Sequence, residues 1–320
     1  MVIPEEIAKT ADDIRSMRIR GASMIAVAGL EAMRNAADDI YGESKSPRAF
    51  LDRVREAEKV LLGTRPTAVA LPNALSFLDN SLDRNLSEGA SKEELRKILK
   101  ESVAQFIERV TEASRRIADL AMPLIPANSA AITHCHSSAA VSVMKKAAAG
   151  GLLRTVYVTE TRPLYQGRIT AKELKDSGAS VKFITDSAAG FYMKDSDVMI
   201  VGADAIAMNG DLVNKIGTFQ MATLAKQLNK RVLVAAETYK IATKASTGVD
   251  VPIEFRGSEE VYEQDPALIG SPEILNPAFD ITPARLIDSI VTEIGVMAEP
   301  EREVPAMAKK AGLLPSRQVF

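Results

Sequence analysis

Residues 121–149, AMPLIPANSAAITHCHSSAAVSVMKKAAA, contain the point at which the chain changes its hydrophobic period. Pro123 and Pro126 form a joint, the apolar run Ala130-Ala131-Ile132 follows, and Ser137 to Ala149 then has the spacing of a helix. A short apolar run that gives way to polar residues and passes into a helix reads as a parallel strand, buried on both faces, opening a β–α unit. The turn between them is Thr133-His134-Cys135-His136-Ser137, with the only cysteine of the chain between its only two histidines. A thiol at a strand end just before a helix is where the N-terminal field of the helix would lower its pKa and make it a base or nucleophile.

Towards the N-terminus the period is helical. Ile7, Ile14 and Met17 space one face, and Ile25, Leu30, Met33 and Ala37 the next; further faces run from Phe50 to Leu62, Leu71 to Leu82 and Leu95 to Ala118. Towards the C-terminus β-rich runs alternate with helical stretches. The runs are 130–133, 155–159, 181–185, 198–201, 232–235 and, more weakly, 290–294; helical spacing fills 137–149, 170–177, 188–194 and 218–228. The expectation is an α/β protein with an all-helical domain over 1–120 and a doubly wound parallel-sheet domain over 121–320. At 320 residues the chain exceeds the size at which one core usually stops growing.

Composition excludes several classes. Forty Lys and Arg against 42 Asp and Glu leave no bulk field for nucleic acid, so any anion site must be local. One cysteine rules out an internal disulfide framework and suits a reducing compartment. The acidic start, MVIPEEIAK, does not read as a secretory signal, and no apolar run approaches a membrane span, so a cytoplasmic protein is expected.

In an open parallel sheet ligands bind beyond the carboxyl ends of the strands. There stand Cys135, Glu160, Asp186, Asp204 after Gly202-Ala203, and Glu237. An Asp at a strand end is also an ordinary helix or turn cap. Neither the dinucleotide glycine fingerprint nor a Walker loop is present. Local anion sites are read instead at Arg20-Gly21-Ala22-Ser23, Thr64-Arg65-Pro66-Thr67, Asn214-Lys215-Ile216-Gly217-Thr218 and Lys240.

Taken together, RGAS at 20–23, TRPT at 64–67, THCHS at 133–137, TETRP at 159–163, GAD at 202–204, NKIGT at 214–218, AETYK at 236–240 and NPAFD at 276–280 resemble the superfamily of translation initiation factor 2B alpha, beta and delta subunits and methylthioribose-1-phosphate isomerase. Within it the set is most similar to the archaeal isomerase branch acting on ribose 1,5-bisphosphate. The resemblance covers nearly the whole chain; residues from Pro300 onward match none of its motifs. It implies a Rossmann-like second domain, an active site between the domains, and isomerisation of α-D-ribose 1,5-bisphosphate to D-ribulose 1,5-bisphosphate in nucleoside monophosphate degradation. It implies Cys135 as general base, Asp204 as general acid, and a substrate shell of Arg20, Gly21, Ala22, Ser23, Arg65, Ser137, Ser138, Ala139, Asn214, Lys215 and Lys240. It further implies a homo-oligomer, a hexamer built as a trimer of dimers, and a nucleotide activator.

Elementary chemistry agrees with those roles. Moving a carbonyl between C1 and C2 needs a base and an acid facing one carbon unit. A protonated Asp204 would follow from burial at the apolar end of 198–201. Cys135 would have to be thiolate, helped by the helix at Ser137 or by a protonated His134 or His136; with the three in extended geometry the histidines point away from the thiol and act as orienting groups. Arg20, Arg65, Lys215 and Lys240 would balance the roughly four negative charges of two phosphates. No metal and no cofactor is expected, because proton transfer needs none and His-Cys-His alone cannot fill a structural zinc site. The alternatives are a methylthioribose-1-phosphate isomerase, which needs an apolar pocket in place of one phosphate site, a non-catalytic regulatory subunit, and a sugar-phosphate-binding protein with an inert cysteine.

Overall fold

The computed structural model describes residues 3–19, 21–64, 69–262, 270 and 272–314. The chain divides into two compact units, Met1–Glu112 and Ala113–Phe320.

The first unit is helical: α1 (Glu5–Arg15), α2 (Ala22–Glu43), α3 (Pro47–Leu62), α4 (Ala70–Ser87) and the first part of α5 (Lys92–Ala121). Two of the starts are capped by their own side chains. Ser46 caps α3, accepting from the Ala49 N–H at 3.1 Å with Pro47 in the first turn, and Ser91 exchanges a capping box with Glu94 ahead of α5. The core is the apolar stripe read from the sequence, with Ile7, Ile14, Ile25, Leu30, Met33, Phe50, Leu61, Leu71, Leu78 and Leu82 buried. Met17 is not on that stripe, because α1 ends at Arg15 and Met17 takes a left-handed φ of 59°.

The second unit is built on a seven-stranded sheet. Its strands are β1 (Ser129–Thr133), β2 (Leu153–Thr159), β3 (Val181–Ile184), β4 (Val198–Val201), β7 (Arg231–Ala235), β10 (Ser289–Thr292) and β11 (Gly295–Met297), in the order β11-β10-β7-β4-β1-β2-β3. All neighbours are parallel except β10 and β11. Side chains alternate across it. Ala131, Val156, Val158, Ile200 and Leu233 face a core shared with α6 (Ser138–Ala149) and Leu174 of α7 (Gly167–Asp176). Ala130, Ile132, Met199, Val201, Val232 and Val234 face the opposite core, with Met193 of α8 (Ala189–Met193), Met221 and Ala225 of α9 (Thr218–Gln227) and Val304 and Ala308 of α10 (Pro300–Lys310). Helices therefore cover both faces, as a doubly wound sheet requires.

Two parts of this unit were not foreseen. A four-stranded sheet, β8-β5-β6-β9, is formed by β5 (Ala205–Ala207), β6 (Leu212–Lys215), β8 (Ile241–Ala242) and β9 (Phe279–Thr282). Its β5–β6 hairpin turns at Asn209-Gly210, with Gly210 at φ 84°, and that dipeptide is the signal that would have found it. The segment after Pro300, which matched no motif, is a core helix started by proline in its first turn. Among the described residues no helix is long and apolar enough to cross a membrane.

Candidate active site

Strand order reverses direction at β1 and β4: from β1 the chain moves to β2 and β3, and from β4 to β7 and β10. The carboxyl ends of these two strands flank the crevice where such sheets bind ligands. Cys135 follows β1, and Gly202-Ala203-Asp204 follows β4. The two segments touch. A Cβ on Gly202 would lie 2.4 Å from both Cβ and Oγ of Ser137, so only glycine lets β4 pass against the N-cap of α6.

Cys135 is not in extended geometry. The strand stops at Thr133, and Cys135 turns into the left-handed region at φ 68°. Its N–H donates to Thr161 Oγ1 at 2.9 Å and its carbonyl accepts from Thr170 Oγ1 at 2.8 Å. Thr161, beyond β2, is itself left-handed at φ 62°; the Asp186 carboxylate accepts from the N–H groups of Thr161 and Arg162, each at 2.7 Å.

His134 is buried. Its Nε2–H donates to the Ile216 carbonyl at 2.8 Å, so in the neutral ring Nδ1 accepts from Thr159 Oγ1 at 2.7 Å. Gly217 follows at φ 103°, where a Cβ would sit 3.1 Å from His134 Nε2. His136 Nδ1 pairs with Thr170 Oγ1 at 3.1 Å, and its Nε2 lies 3.7 Å from Glu173 Oε1. Burial pushes the pKa of both imidazoles below its ordinary value, so both rings are neutral at pH 7 and neither supplies the positive charge expected beside the thiol.

Desolvation opposes the expected helix field at the half-buried Cys135. Desolvation pushes the thiol up to about 11; Lys215 pulls it down, and the charges of Asp204 and Asp186 push it up. The expected depression of the thiol is therefore reversed, because the charged form loses more by leaving water than one lysine returns. Cys135, Asp204 and Lys215 nevertheless share one electrostatic site. Asp204 itself is half-buried between β4 and β5, its N–H held by the Val213 carbonyl at 3.0 Å, so its surroundings are wetter than the apolar strand end suggested.

The rest of the expected shell divides. Ser137 is the N-cap of α6, Ser138 is exposed and Ala139 is buried in the core. Asn214 and Lys215 lie on β6, ahead of α9, where Asn214 Nδ2 donates to Thr218 Oγ1 at 3.0 Å and the buried Lys215 ammonium sits 4.9 Å from the Phe279 ring centre. The N-terminus of α9 is occupied from within: Asp280 accepts from the Gly217 N–H at 2.7 Å and the Phe219 N–H at 3.1 Å. Burial raises Asp280 to about 6, against the pull of those two N–H groups and Lys215. Lys240 is 3% exposed and its ammonium lies 2.8 Å from the wholly buried Glu237, so the charge count that relied on it as a free cation is short by one.

In the helical unit Gly21 is the N-cap of α2 at φ 90°, with Ala22 and Ser23 in its first turn; Arg20 and Arg65 lie outside the described residues. Among the described residues no group of three His, Cys, Asp or Glu could hold a metal ion. The sequence reading missed Thr161, Thr170 and Asp280 as parts of this site and placed Asp186 on the rim without saying what it holds. Two of the signals were present, in Thr159-Glu160-Thr161-Arg162-Pro163 and Asn276-Pro277-Ala278-Phe279-Asp280, but nothing local says what those side chains hold.

A model of the initiation factor 2 subunit family matches residues 18–299. The chain is 40% identical over 302 residues to a ribose 1,5-bisphosphate isomerase of Thermococcus kodakarensis, covering 93% of this chain and 92% of that protein. Among solved structures it is similar to a Pyrococcus horikoshii translation initiation factor eIF-2B, with TM-score 0.79, 29% identity and coverage of 93% and 98%. It is equally similar to the 5-methylthioribose 1-phosphate isomerase of the same organism, with TM-score 0.78, 30% identity and coverage of 95% and 88%.

Proposed function

The chain belongs to the initiation factor 2 subunit family, and from that premise we propose that it is an intramolecular aldose–ketose isomerase converting α-D-ribose 1,5-bisphosphate to D-ribulose 1,5-bisphosphate in nucleoside monophosphate degradation. The observation that carries the reading is the packing of Gly202 against Ser137 at the reversal of the sheet, which brings the strand ends bearing Cys135 and Asp204 together so that thiol, carboxyl and the Lys215 ammonium of β6 act on one another. Asp204 delivers a proton to the ring oxygen, which opens a ring whose C1 phosphate blocks the ordinary hemiacetal route. As the C1–O4 bond breaks, Cys135 removes the C2 proton to leave an enol; the thiol returns that proton to C1 while the C2 hydroxyl gives its own proton to the Asp204 carboxylate, so the C2 carbonyl forms and both groups are restored. Lys215 holds negative charge on the substrate and draws the thiol towards thiolate.

The raised thiol supports a second assignment on the same residues, with Cys135 as acid and Asp204 as base. The two differ in the sign of their pH dependence. With a thiolate base, kcat/KM rises with pH towards the thiol pKa; with a thiol acid, it falls as the thiolate forms.

The test of the reading is turnover of ribose 1,5-bisphosphate beside methylthioribose 1-phosphate and ribose 5-phosphate. The bisphosphate should be preferred by about tenfold or more, because loss of a charge-assisted phosphate contact costs about 1.5–3 kcal/mol. Equal turnover of the methylthio sugar promotes that alternative, and turnover of none promotes a regulatory role. The reading includes a homo-oligomer, a hexamer built as a trimer of dimers, and activation by a nucleotide; sedimentation and added AMP test these two parts.

A further inference from the structure

The conformation of Cys135 is imposed from outside its own β–α unit. A residue other than glycine in the left-handed region is strained and persists only where its surroundings determine it. Both backbone polar groups of Cys135 are held by threonine hydroxyls of the next unit, its N–H by Thr161 and its carbonyl by Thr170. The first of these holders is strained as well, and a β-branched side chain makes left-handed geometry still less favourable at Thr161. Asp186, from the loop after β3, supplies the counterweight through its fork on the N–H groups of Thr161 and Arg162.

We propose that Thr161, backed by Asp186, and Thr170 are positioning residues for Cys135, a clamp that sets where the thiol points. The clamp rests on the isomerase reading only for its catalytic consequence; its effect on the thiol is independent of substrate. Because Cys135 is the sole cysteine, its modification can be read by mass without ambiguity. Thr161→Val and Thr170→Val keep shape and branching while removing the hydroxyl, and Thr161→Ser and Thr170→Ser restore it.

The experiment follows iodoacetamide labelling of each full-length variant from pH 7 to 10, with melting temperature and isomerase kinetics on the same preparations. The valine variants should change the labelling rate by about fivefold or more and displace its pH profile, while the serine variants stay within about twofold of wild type. With ribose 1,5-bisphosphate the valine variants should lose about tenfold or more in kcat with KM nearly unchanged, as misplacement of a reacting group does. Valine variants whose labelling profiles superimpose on wild type overturn the clamp, as do serine variants that behave like valine. If wild type turns over no sugar phosphate, the isomerase reading fails and the labelling arm alone decides the clamp. Should the valine variants not fold, hydrogen exchange on wild type decides it: a slowly exchanging Cys135 amide supports the clamp, and exchange at the rate of a free peptide overturns it.

Discussion

Each unit holds an acid whose pKa desolvation raises, Glu58 fully buried and Cys135 half-buried, and the two teach different things. In the helical unit Glu58, on α3, is 4% exposed beside Asp79 and Arg55, and desolvation followed by the Asp79 charge raises it to about 9. In the α/β unit desolvation raises Cys135 to about 11. The perturbation is similar in kind and the setting is not. Glu58 sits inside a regular helix whose backbone is satisfied by its own turns. Cys135 sits at a strand end, where the backbone must find partners from other segments and takes a strained conformation to do so. A shifted pKa therefore does not mark a catalytic group by itself; the role proposed for Cys135 rests on its strand-end placement at the reversal of the sheet, with a second titratable group on the neighbouring strand end.

Four measurements would break or sharpen that contrast. The largest effect is expected from Cys135→Ser or Asp204→Asn, each of which should lower turnover by roughly 10²- to 10⁴-fold with the melting temperature nearly unchanged; activity above about a tenth of wild type would take that residue out of the reaction. Glu58→Gln, in contrast, should leave kcat within about twofold. Next is the thiol itself. With its pKa near 11, labelling of wild type by iodoacetamide should rise about tenfold per pH unit from pH 7 to 10, and a plateau below pH 9 would show that Lys215 outweighs burial.

A smaller effect concerns the support of the site. Gly202→Ala drives a Cβ into Ser137, which cannot retreat without moving the N-cap of α6, so unfolding should become easier by about 1–3 kcal/mol. Denaturation in urea checks it, and an unchanged midpoint would mean that the two strand ends are looser than described. The smallest effect belongs to the helical unit. Glu58 has its folded pKa raised above 4.5, so its contribution is fully present below pH 4.5 and is lost as pH rises through about 9. Glu58→Gln should flatten that decline and melt a few degrees higher than wild type at pH 9. A variant that melts lower at pH 9 would mean that the glutamate is held ionised by Arg55.

What was legible in the sequence was local. Helical spacing placed the first unit and apolar runs placed six strands of the main sheet. The same pattern put Cys135 and Asp204 at strand ends, because side-chain periodicity is set by neighbours a few residues apart. The second sheet was legible only at Asn209-Gly210, since its strands are two to four residues long and one of its neighbours, β9, arrives from more than sixty residues away.

The chemistry of the rim was decided by tertiary structure. Lys240 reads as a free cation until Glu237 is seen beside it, and the start of α9 reads as an anion site until Asp280 is seen on its N–H groups. The thiol reads as acidified by a helix until its burial is counted. Sequence alone determined which groups stand at the ends of the strands. Only the folded chain decided their partners and surroundings, because desolvation and hydrogen bonding depend on atoms brought together from distant positions.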